Sequence, residues 1–311
     1  MKILKLNIVI IILFNCLTGV AQQLPQFTQY MYNTISINPA YAGSRETLSV
    51  VGLHRSQWVG LEGGPTTQTL SIHSPMRNDR IGLGLSFIRD QLGYENSTYL
   101  YGDFSYTIPF GEESKLAFGI KGGFTQYSLD RSILDDPSVV IDPFFNDISN
   151  RWAPNVGLGI YWNTNKWYIG LSAPRVFNND YNNSKNGNIS YVALERVSYY
   201  FTGGYVFDVG GTTKFKPAFL AKATNGAPLS FDITANFLFN ETLWLGGAYR
   251  INESAAAFGG IVDFQVSRQL RIGYAYEYPI SDIRPYTSGT HEVLLMFEIF
   301  NSKRIKSPRY F

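Results

Sequence analysis

Ile81-Gly82-Leu83-Gly84-Leu85-Ser86-Phe87 alternates strictly between a large apolar side chain and a glycine or serine. Successive side chains of a β-strand point to opposite faces, so this stretch predicts a strand with one bulky apolar face and one small face. The same alternation recurs between residues 47 and 300 in units of about ten residues separated by turns. A soluble sandwich or propeller also alternates, so the pattern alone does not tell whether water or lipid lies outside.

The composition favours lipid over water as the surroundings of the strands. Hydrophobic residues make up 45% of the chain and aromatic residues 15%, whereas charged residues make up only 16%. The charged fraction of a soluble domain is usually about 25%. After the N-terminal leader, no apolar run approaches the roughly 18 residues that a spanning helix needs. These features in an exported chain are typical of a closed β-barrel that spans a membrane. In such a barrel, neighbouring strands satisfy the hydrogen bonds of every backbone N–H and C=O group.

The first 21 residues have the layout of a secretory signal peptide. A basic head at residues 1–5 precedes an apolar run over residues 6–14, and small residues at 19–21 predict cleavage near Ala21. The single cysteine, Cys16, lies within this leader. We therefore expect an exported mature protein without disulfides or thiol chemistry.

The alternating units predict an all-β, transmembrane, antiparallel barrel over residues 46–300. About fourteen strands are expected, an even number as in bacterial single-chain barrels. They lie near residues 47–58, 66–73, 80–90, 97–108, 115–129, 151–162, 167–175, 197–208, 213–222, 229–239, 243–251, 256–266, 270–278 and 291–300.

The predicted connections alternate in length. Short turns are expected at residues 75–79, 110–114, 163–166, 209–212, 240–242 and 267–269, and the intervening connections include long stretches at 130–150, 176–196 and 279–290. Outer-membrane barrels have short periplasmic turns and longer extracellular loops. A sandwich or propeller has no reason to sort its loops in this way, so the barrel is favoured.

Charged side chains fall on the predicted inward face of the last six strands. Lys222, Asp232 and Arg250 are expected near the outer end of three neighbouring strands, and Asp263, Arg271 and Glu298 near the inner end of the final three. Opposite charges within reach of each other pair across strands. Solvated charges lining a water-filled interior are the alternative.

The sequence predicts no catalytic, cofactor or metal site. His54, His73 and His291 are expected on adjoining strands but at different depths, so they do not share a metal. There is no Gly-x-Ser-x-Gly, His-Glu-x-x-His or phosphate-binding glycine motif. A formal net charge of +2 without a basic cluster before the tail gives no reason to expect nucleic acid as a partner.

Two segments lie outside the strand pattern. Residues 22–45 read QQLPQFTQYMYNTISINPAYAGSR, and their aromatic content predicts a plug inside the barrel, with a periplasmic linker as the alternative. Residues 301–311 form a basic tail, expected in the periplasm, which could contact an acidic partner or anionic lipid or be disordered.

Four stretches resemble the PorP/SprF family of the type IX secretion system: FTQYMYNTISINPAYAGSR (27–45), LHRSQWVGLEGGPTTQTLSIHSP (53–75), IGLGLSF (81–87) and the closing SPRYF. The resemblance implies an outer-membrane protein of the Bacteroidota that serves secretion of surface adhesins and other cargo with a C-terminal sorting domain, in some organisms linked to gliding motility. It names no catalytic residue. The residues that match the family motif are Tyr30, Asn33, Asn38, Pro39, Tyr41, Gly43, Arg55, Trp58, Pro65 and Thr66.

The main hypothesis is a non-enzymatic outer-membrane barrel of the type IX machinery that binds, helps export or anchors a cargo such as a large adhesin. Its expected partners are outer-membrane lipid, the cargo and other type IX components in the periplasm. The loops at 130–150 and 176–196 would hold the cargo. A passive pore for small solutes is the alternative, since a pore requires a polar lumen. A lipid-modifying enzyme would need a nucleophile and a base, which the sequence does not supply.

Overall fold

The computed structural model describes residues 25–111, 113–130, 150–181, 194–253 and 255–300. Short 3-10 helices cover Thr34–Ser36, Pro39–Tyr41 and Arg284–Tyr286. The strands of this part of the chain are β1 (Leu48–Ser56), β2 (Thr66–Pro75), β3 (Ile81–Leu92), β4 (Glu95–Pro109), β5 (Lys115–Leu129), β6 (Arg151–Asn163), β7 (Trp167–Ala173), β8 (Asn179–Asp180), β9 (Leu194–Glu195), β10 (Ser198–Tyr205), β11 (Phe207–Gly210), β12 (Thr213–Thr224), β13 (Ser230–Phe239), β14 (Leu243–Ile251), β15 (Ala257–Gln265), β16 (Leu270–Pro279) and β17 (Thr290–Ile299).

The strands form one closed antiparallel barrel. β1 pairs with β17 in the register Leu48↔Ile299, and β10 pairs with both β7 and β12, so the sheet returns on itself. The sheet has 15 strands, of which β10 and β11 are two parts of one wall strand, while β8 and β9 pair only with each other. The predicted barrel of fourteen strands is therefore confirmed. Closure joins the first and last strands of the wall, whereas β11 pairs with β12 alone and β6 pairs with β7 only over Leu158–Asn163.

The bulky side of the alternation lies outside. Leu295 in the middle of β17 is 51% exposed, whereas its neighbour Leu294 is 0% exposed and faces the interior. In β3, Leu83, Leu85 and Phe87 are likewise exposed on the outer surface. An apolar band on the outside of a closed barrel is the surface that contacts lipid.

The first and last residues of the wall strands, Leu48 and Ile299, lie at the same end of the barrel as the short turns. The connections at residues 76–80, 110–114, 164–166, 211–212, 240–242 and 266–269 close on that side, which we call the short-turn end. The opposite, long-loop end carries the connections at 57–65, 130–150, 174–197 and 280–289, together with three short ones at 93–94, 225–229 and 252–256. By the rule for outer-membrane barrels, the short-turn end faces the periplasm.

Some predicted features lie outside the described residues. They are the signal peptide, the first residues of the plug, the basic tail, and residues 131–149 and 182–193 of the two longest connections. In the part of the chain that the structure describes, no helix has the length and apolarity needed to span a membrane.

We predict that Leu295→Arg destabilises the barrel by about 2–4 kcal/mol, because it places a charge near the middle of the lipid-facing band. Ile299→Arg, on the same face but at the last position of β17, is the matched control and should cost about 0–1 kcal/mol. Urea unfolding in detergent micelles or lipid vesicles gives both values. Equal effects of the two substitutions would contradict the lipid-facing assignment of this wall.

Candidate functional site

Residues 25–47, which we call the inner segment, lie inside the barrel and are almost entirely buried. Gln26 begins the segment near the long-loop end, where its side-chain amide donates to Asp232 Oδ2 at 2.5 Å. The chain then reaches Tyr32, near the short-turn end, crosses the interior to β6 and β7, and returns past β4 to β1. It thereby contacts strands on opposite sides of the barrel.

Glycines on the inward face of the wall make room for the inner segment. A Cβ at Gly82 would overlap the carbonyl group of Ala42, and one at Gly119 would overlap the backbone of Ala40. Gly82 belongs to the alternating stretch at residues 81–87. The small face of that pattern is therefore the surface against which the backbone of the inner segment packs.

The Asn38-Pro39-Ala40-Tyr41 motif forms a capped turn. Asn38 Oδ1 accepts from the backbone N–H of Ala40 at 3.0 Å, and Asn38 Nδ2 donates to the carbonyl oxygen of Ile160 in β6 at 3.0 Å. The ring of Tyr41 packs edge-on against His73 at 5.3 Å and Tyr161 at 5.4 Å. One asparagine thus both caps the turn and ties it to the wall.

The turn continues into Gly43, whose backbone has a φ of 76° that favours glycine. Its N–H donates to His73 Nδ1 at 3.1 Å, so the buried histidine of β2 acts as a structural acceptor. Further along the same strand, Asn33 donates to Thr69 and accepts from Ser71, each at 3.1 Å.

The aromatic residues at the start of the inner segment form an apolar core within the barrel. Phe27, Tyr30, Met31 and Tyr32 pack together with inward-facing aliphatic side chains of the wall. The wall members of this cluster include Val51, Leu53, Leu220, Ile261, Leu294 and Met296. Burial of apolar surface therefore holds the segment in addition to its hydrogen bonds.

Near the long-loop end, five buried charged side chains of alternating sign cross five strands, a set that we call the ionic ladder. Its contacts are Asp232 to Arg250 at 2.7 Å, Arg250 to Glu277 at 3.2 Å, Glu277 to Arg55 at 2.7 Å and Arg55 to Glu292 at 3.0 Å. Three carboxylates face two guanidinium groups, which leaves one negative charge in excess.

The inner segment supplies hydrogen-bond donors to the ionic ladder. The backbone N–H groups of Thr28 and Gln29 donate to the two oxygens of Glu292 at 3.0 and 2.8 Å. The Thr28 hydroxyl donates to Glu277 at 2.7 Å. A buried carboxylate is costly unless its oxygens are paired, so these donors stabilise both the charge and the position of the segment.

Two further contacts bind the segment near the short-turn end. The Tyr32 hydroxyl donates to Asp263 at 3.1 Å and accepts from Arg271 at 2.9 Å. Burial and the neighbouring Asp263 carboxylate raise the pKa of Tyr32, so the phenol keeps its proton for this bond. Arg45 pairs with Glu298 at 2.8 Å just before β1 begins.

The six charged residues predicted to face the interior take part in separate contacts. Asp232 and Arg250 contact each other, Asp263 and Arg271 meet at Tyr32, and Glu298 binds Arg45. Lys222 is buried on β12 at the long-loop end. The roles of Thr28, Gln29 and Arg45 were missed, because their partners lie more than 200 residues away in the sequence and no local pattern indicates them.

The remaining motif residues lie apart from the segment, in the connection between β1 and β2. Trp58 has a φ of 58° and its N–H donates to Thr290 Oγ1 at 3.3 Å. The carbonyl of Pro65 accepts from Gln57 at 2.8 Å just before Thr66 opens β2. Val59 exchanges backbone hydrogen bonds of 2.8 Å with residues 288 and 289, so two connections at the long-loop end support each other.

The histidines do not form a common site. His54 is exposed and contacts Ser56, His291 contacts Tyr274, and only His73 faces the buried interior. Among the described residues, no group of three or more His, Cys, Asp or Glu side chains is arranged to hold a metal ion. The arrangement holds a chain segment inside the barrel; its charged groups are used in ion pairs and hydrogen bonds.

A family model described as "Type IX secretion system membrane protein PorP/SprF" matches residues 19–297. Among solved structures, the chain is similar to the outer membrane protein Omp33 of Acinetobacter baumannii, with 8% identity, a TM-score of 0.46, and coverage of 82% of this chain and 98% of that chain. It is also similar to OmpF of Salmonella typhi in complex with daunomycin, with 9% identity, a TM-score of 0.40, and coverage of 82% of this chain and 99% of that chain. No curated protein sequence matches the chain.

We predict that Gly119→Val displaces the inner segment, because its side chain would enter the space of Ala40. Arg45 is buried and is the only Lys or Arg between residues 22 and 45, so trypsin should release a peptide ending at Arg45 from the variant and spare the wild type. Gly122→Val, on the outer face of the same strand with nothing within 4 Å, is the control. A folded Gly119→Val barrel that resists cleavage would contradict the packing.

We predict that Arg55→Met lowers the free energy of unfolding by about 3–5 kcal/mol, because it leaves Glu277 and Glu292 buried without their shared partner. Lys115→Met is the matched control. It removes a lysine that pairs with Glu46 in a partly exposed position, and should cost at most about 1 kcal/mol. Denaturant unfolding gives the free energy of unfolding of each variant. Similar losses in the two variants would contradict a larger contribution of the ionic ladder to stability.

Proposed function

The chain belongs to the PorP/SprF family of type IX secretion system membrane proteins, and we propose that it binds, helps export or anchors a protein cargo at the cell surface. The family is one of membrane barrels of a secretion system and not one of enzymes. Outer-membrane location follows from this membership together with the closed barrel and its apolar outer band.

The observation that carries the proposal is the contrast between the two ends of the barrel. Connections of nine residues or more occur only at the long-loop end in the described topology, and there the connection at residues 57–65 is braced against the one at 280–289. Exposed aromatic side chains also lie at this end: Tyr286 is 68% exposed, and Phe177 and Tyr94, the latter in the short connection at 93–94, are on the surface. Aromatic residues are enriched in protein interfaces, so this end is suited to hold a protein partner.

The interior argues against a passive pore for small solutes as the main function. The inner segment crosses the lumen and packs against strands on both sides. The inward charges of the ionic ladder are paired and buried instead of lining an open channel. A scaffold for a partner needs no open lumen, and a filled interior stiffens the wall that displays the connections.

We propose further that the cargo carries a C-terminal sorting domain and is a large surface adhesin, that the host is a Bacteroidota-type bacterium, and that export follows signal-peptide cleavage near Ala21. The support for these points is the family membership and the leader-like sequence of residues 1–21. Gliding is one process that such an adhesin would serve. Other type IX components would contact the short-turn end, from which the basic tail at 301–311 follows β17.

The test is recovery of the cargo from the native outer membrane. Affinity purification of the tagged barrel in mild detergent should bring with it a large secreted protein, identified by mass spectrometry. Replacing residues 134–146 and 183–191 by short Gly-Ser linkers should lower that recovery at least about tenfold, equivalent to about 1.4 kcal/mol of binding free energy.

The control changes the opposite end of the barrel. Arg77→Ala with Arg268→Ala alters exposed side chains of two short turns and should leave recovery of the cargo unchanged. Recovery of the barrel alone, or equal loss of the cargo in both variants, would contradict a role of the long connections.

A further inference from the structure

The outer face of β1 to β7 carries one charged side chain. Arg89 in β3 is the only Asp, Glu, Lys or Arg at an outward position of these strands, and it is exposed. Among the described residues it forms no ion pair and no side-chain hydrogen bond. An arginine on the lipid face costs about 2–4 kcal/mol at the middle of the bilayer and only about 0–1 kcal/mol near its surface. The height of Arg89 in the membrane therefore determines what it can do.

Arg89 lies at the top of the apolar band. On β4, the outward positions between Leu100 and Ile108 hold aliphatic, aromatic or glycine residues, and so do those between residues 116 and 124 of β5. At about 3.4 Å per residue and about 40° of tilt, residues 100–108 cover roughly 23 Å, close to the band of about 25 Å in outer-membrane barrels. Arg89 lies opposite Thr98, the next outward position beyond Leu100 towards the long-loop end. It is therefore level with the lipid headgroups of the outer leaflet.

Uncharged polar side chains continue the level of Arg89 across the neighbouring strands. Gln68 of β2 lies opposite Arg89, Arg89 lies opposite Thr98 of β4, and Thr98 lies opposite Gln126 of β5. All four face outwards, and directly opposite side chains have Cβ atoms about 4.5–5.5 Å apart, so they form one row, which we call the polar row. Gln126 donates to Asn150 at 2.6 Å. The side chains of Gln68 and Thr98, like that of Arg89, form no hydrogen bond within the described part of the chain and are available to a ligand.

An apolar hollow follows the polar row along β4 and β5. Gly102 and Gly122 face outwards and lie opposite each other, and a Cβ at Gly122 would meet nothing within 4 Å. The next outward pair, Phe104 and Ile120, lines a groove of about 540 Å³ on the outer surface of β4 to β7. That volume lies within the range of about 300–1,000 Å³ that is usual for sites of small molecules. The hollow and the groove thus give an apolar path that begins next to the polar row.

The two surfaces together match an amphipathic anion. A guanidinium group binds phosphate oxygens through two parallel hydrogen bonds, and the adjoining amide and hydroxyl groups of Gln68 and Thr98 can bond further oxygens. No carboxylate at an outward position of β1 to β7 competes for Arg89. A free phosphate ion would use the polar row alone, whereas a lipid would also place an acyl chain in the apolar path. The continuity of the two surfaces along the same strands favours the lipid.

We propose that the polar row binds the phosphate of a glycolipid in the outer leaflet, and that an acyl chain of the same molecule lies over Gly102 and Gly122 and enters the groove. Arg89 supplies the charge, Gln68 and Thr98 position the headgroup, and the hollow holds the chain. The bound lipid lies against β2 to β7 and outside the barrel. The proposal is independent of the cargo role, because it concerns only the lipid-facing surface.

The test compares two probes, diphosphoryl lipid A and the same lipid A after removal of its phosphates. Native mass spectrometry of the purified full-length barrel in detergent gives the affinity for each. The wild type should bind the phosphorylated form at least about tenfold more tightly, equivalent to about 1.4 kcal/mol. Arg89→Gln should remove most of this preference. Arg77→Gln, which changes an exposed arginine at the short-turn end, is the matched control and should keep it.

A second pair of variants tests the apolar path. Gly122→Leu fills the hollow and should weaken binding of both forms of lipid A to the same extent. Gly260→Leu is its control, since Gly260 is an outward glycine of β15 that also has nothing within 4 Å of an added Cβ. Normal binding by Gly122→Leu, or release of bound lipid A by millimolar inorganic phosphate, would contradict the assignment to a lipid.

Equal binding of the two forms by the wild type would overturn the proposal, and so would an unchanged preference in folded Arg89→Gln. Heat-modifiable migration in gels shows whether each variant is folded. If Arg89→Gln does not fold, the comparison of the two probes on the wild type decides. Recovery of a cargo enters none of these measurements, so failure here and failure of the cargo role are distinguishable.

Discussion

The requirement that every backbone N–H and C=O group in lipid find a partner determines the rest of this structure. No helix of the described residues could satisfy it, and the strands do so by closing between β1 and β17 and between β10 and β12. Closure creates two surfaces of opposite character from one alternating sequence. The outer surface keeps its bulky apolar side chains for lipid, and the inner surface keeps glycines, hydroxyls and charges in an enclosed space.

The enclosed space then imposes its own condition, since charges that are removed from water need partners. The wall supplies some of these itself, as in the contact of Asp232 with Arg250. The inner segment supplies others through Thr28, Gln29, Tyr32 and Arg45. Segment and wall are thus complementary in charge as well as in shape. The inner segment therefore packs against strands on opposite sides of the barrel, and the long connections lie at one end of the wall.

Most of the wall could be predicted from the sequence, because a side-chain period of two and the turn residues are local signals. All fourteen wall strands lie close to their expected positions, and the main irregularity is the break at Val206 that separates β10 from β11. The partners of the inner segment could not be predicted in the same way. The alternation placed Asp263 and Arg271 near one another, but the hydroxyl of Tyr32 stands between them, and nothing near Tyr32 in the sequence indicates this.

The path of the inner segment has a consequence for biogenesis. The segment joins the first strand, and three of the carboxylates that hold it, Glu277, Glu292 and Glu298, belong to the last two strands. If the barrel closed first, the segment would have to enter the closed barrel and fold there to reach these partners. The contacts of the segment with Glu277, Glu292 and Glu298 can therefore be complete only when the last two strands have taken their places beside the first.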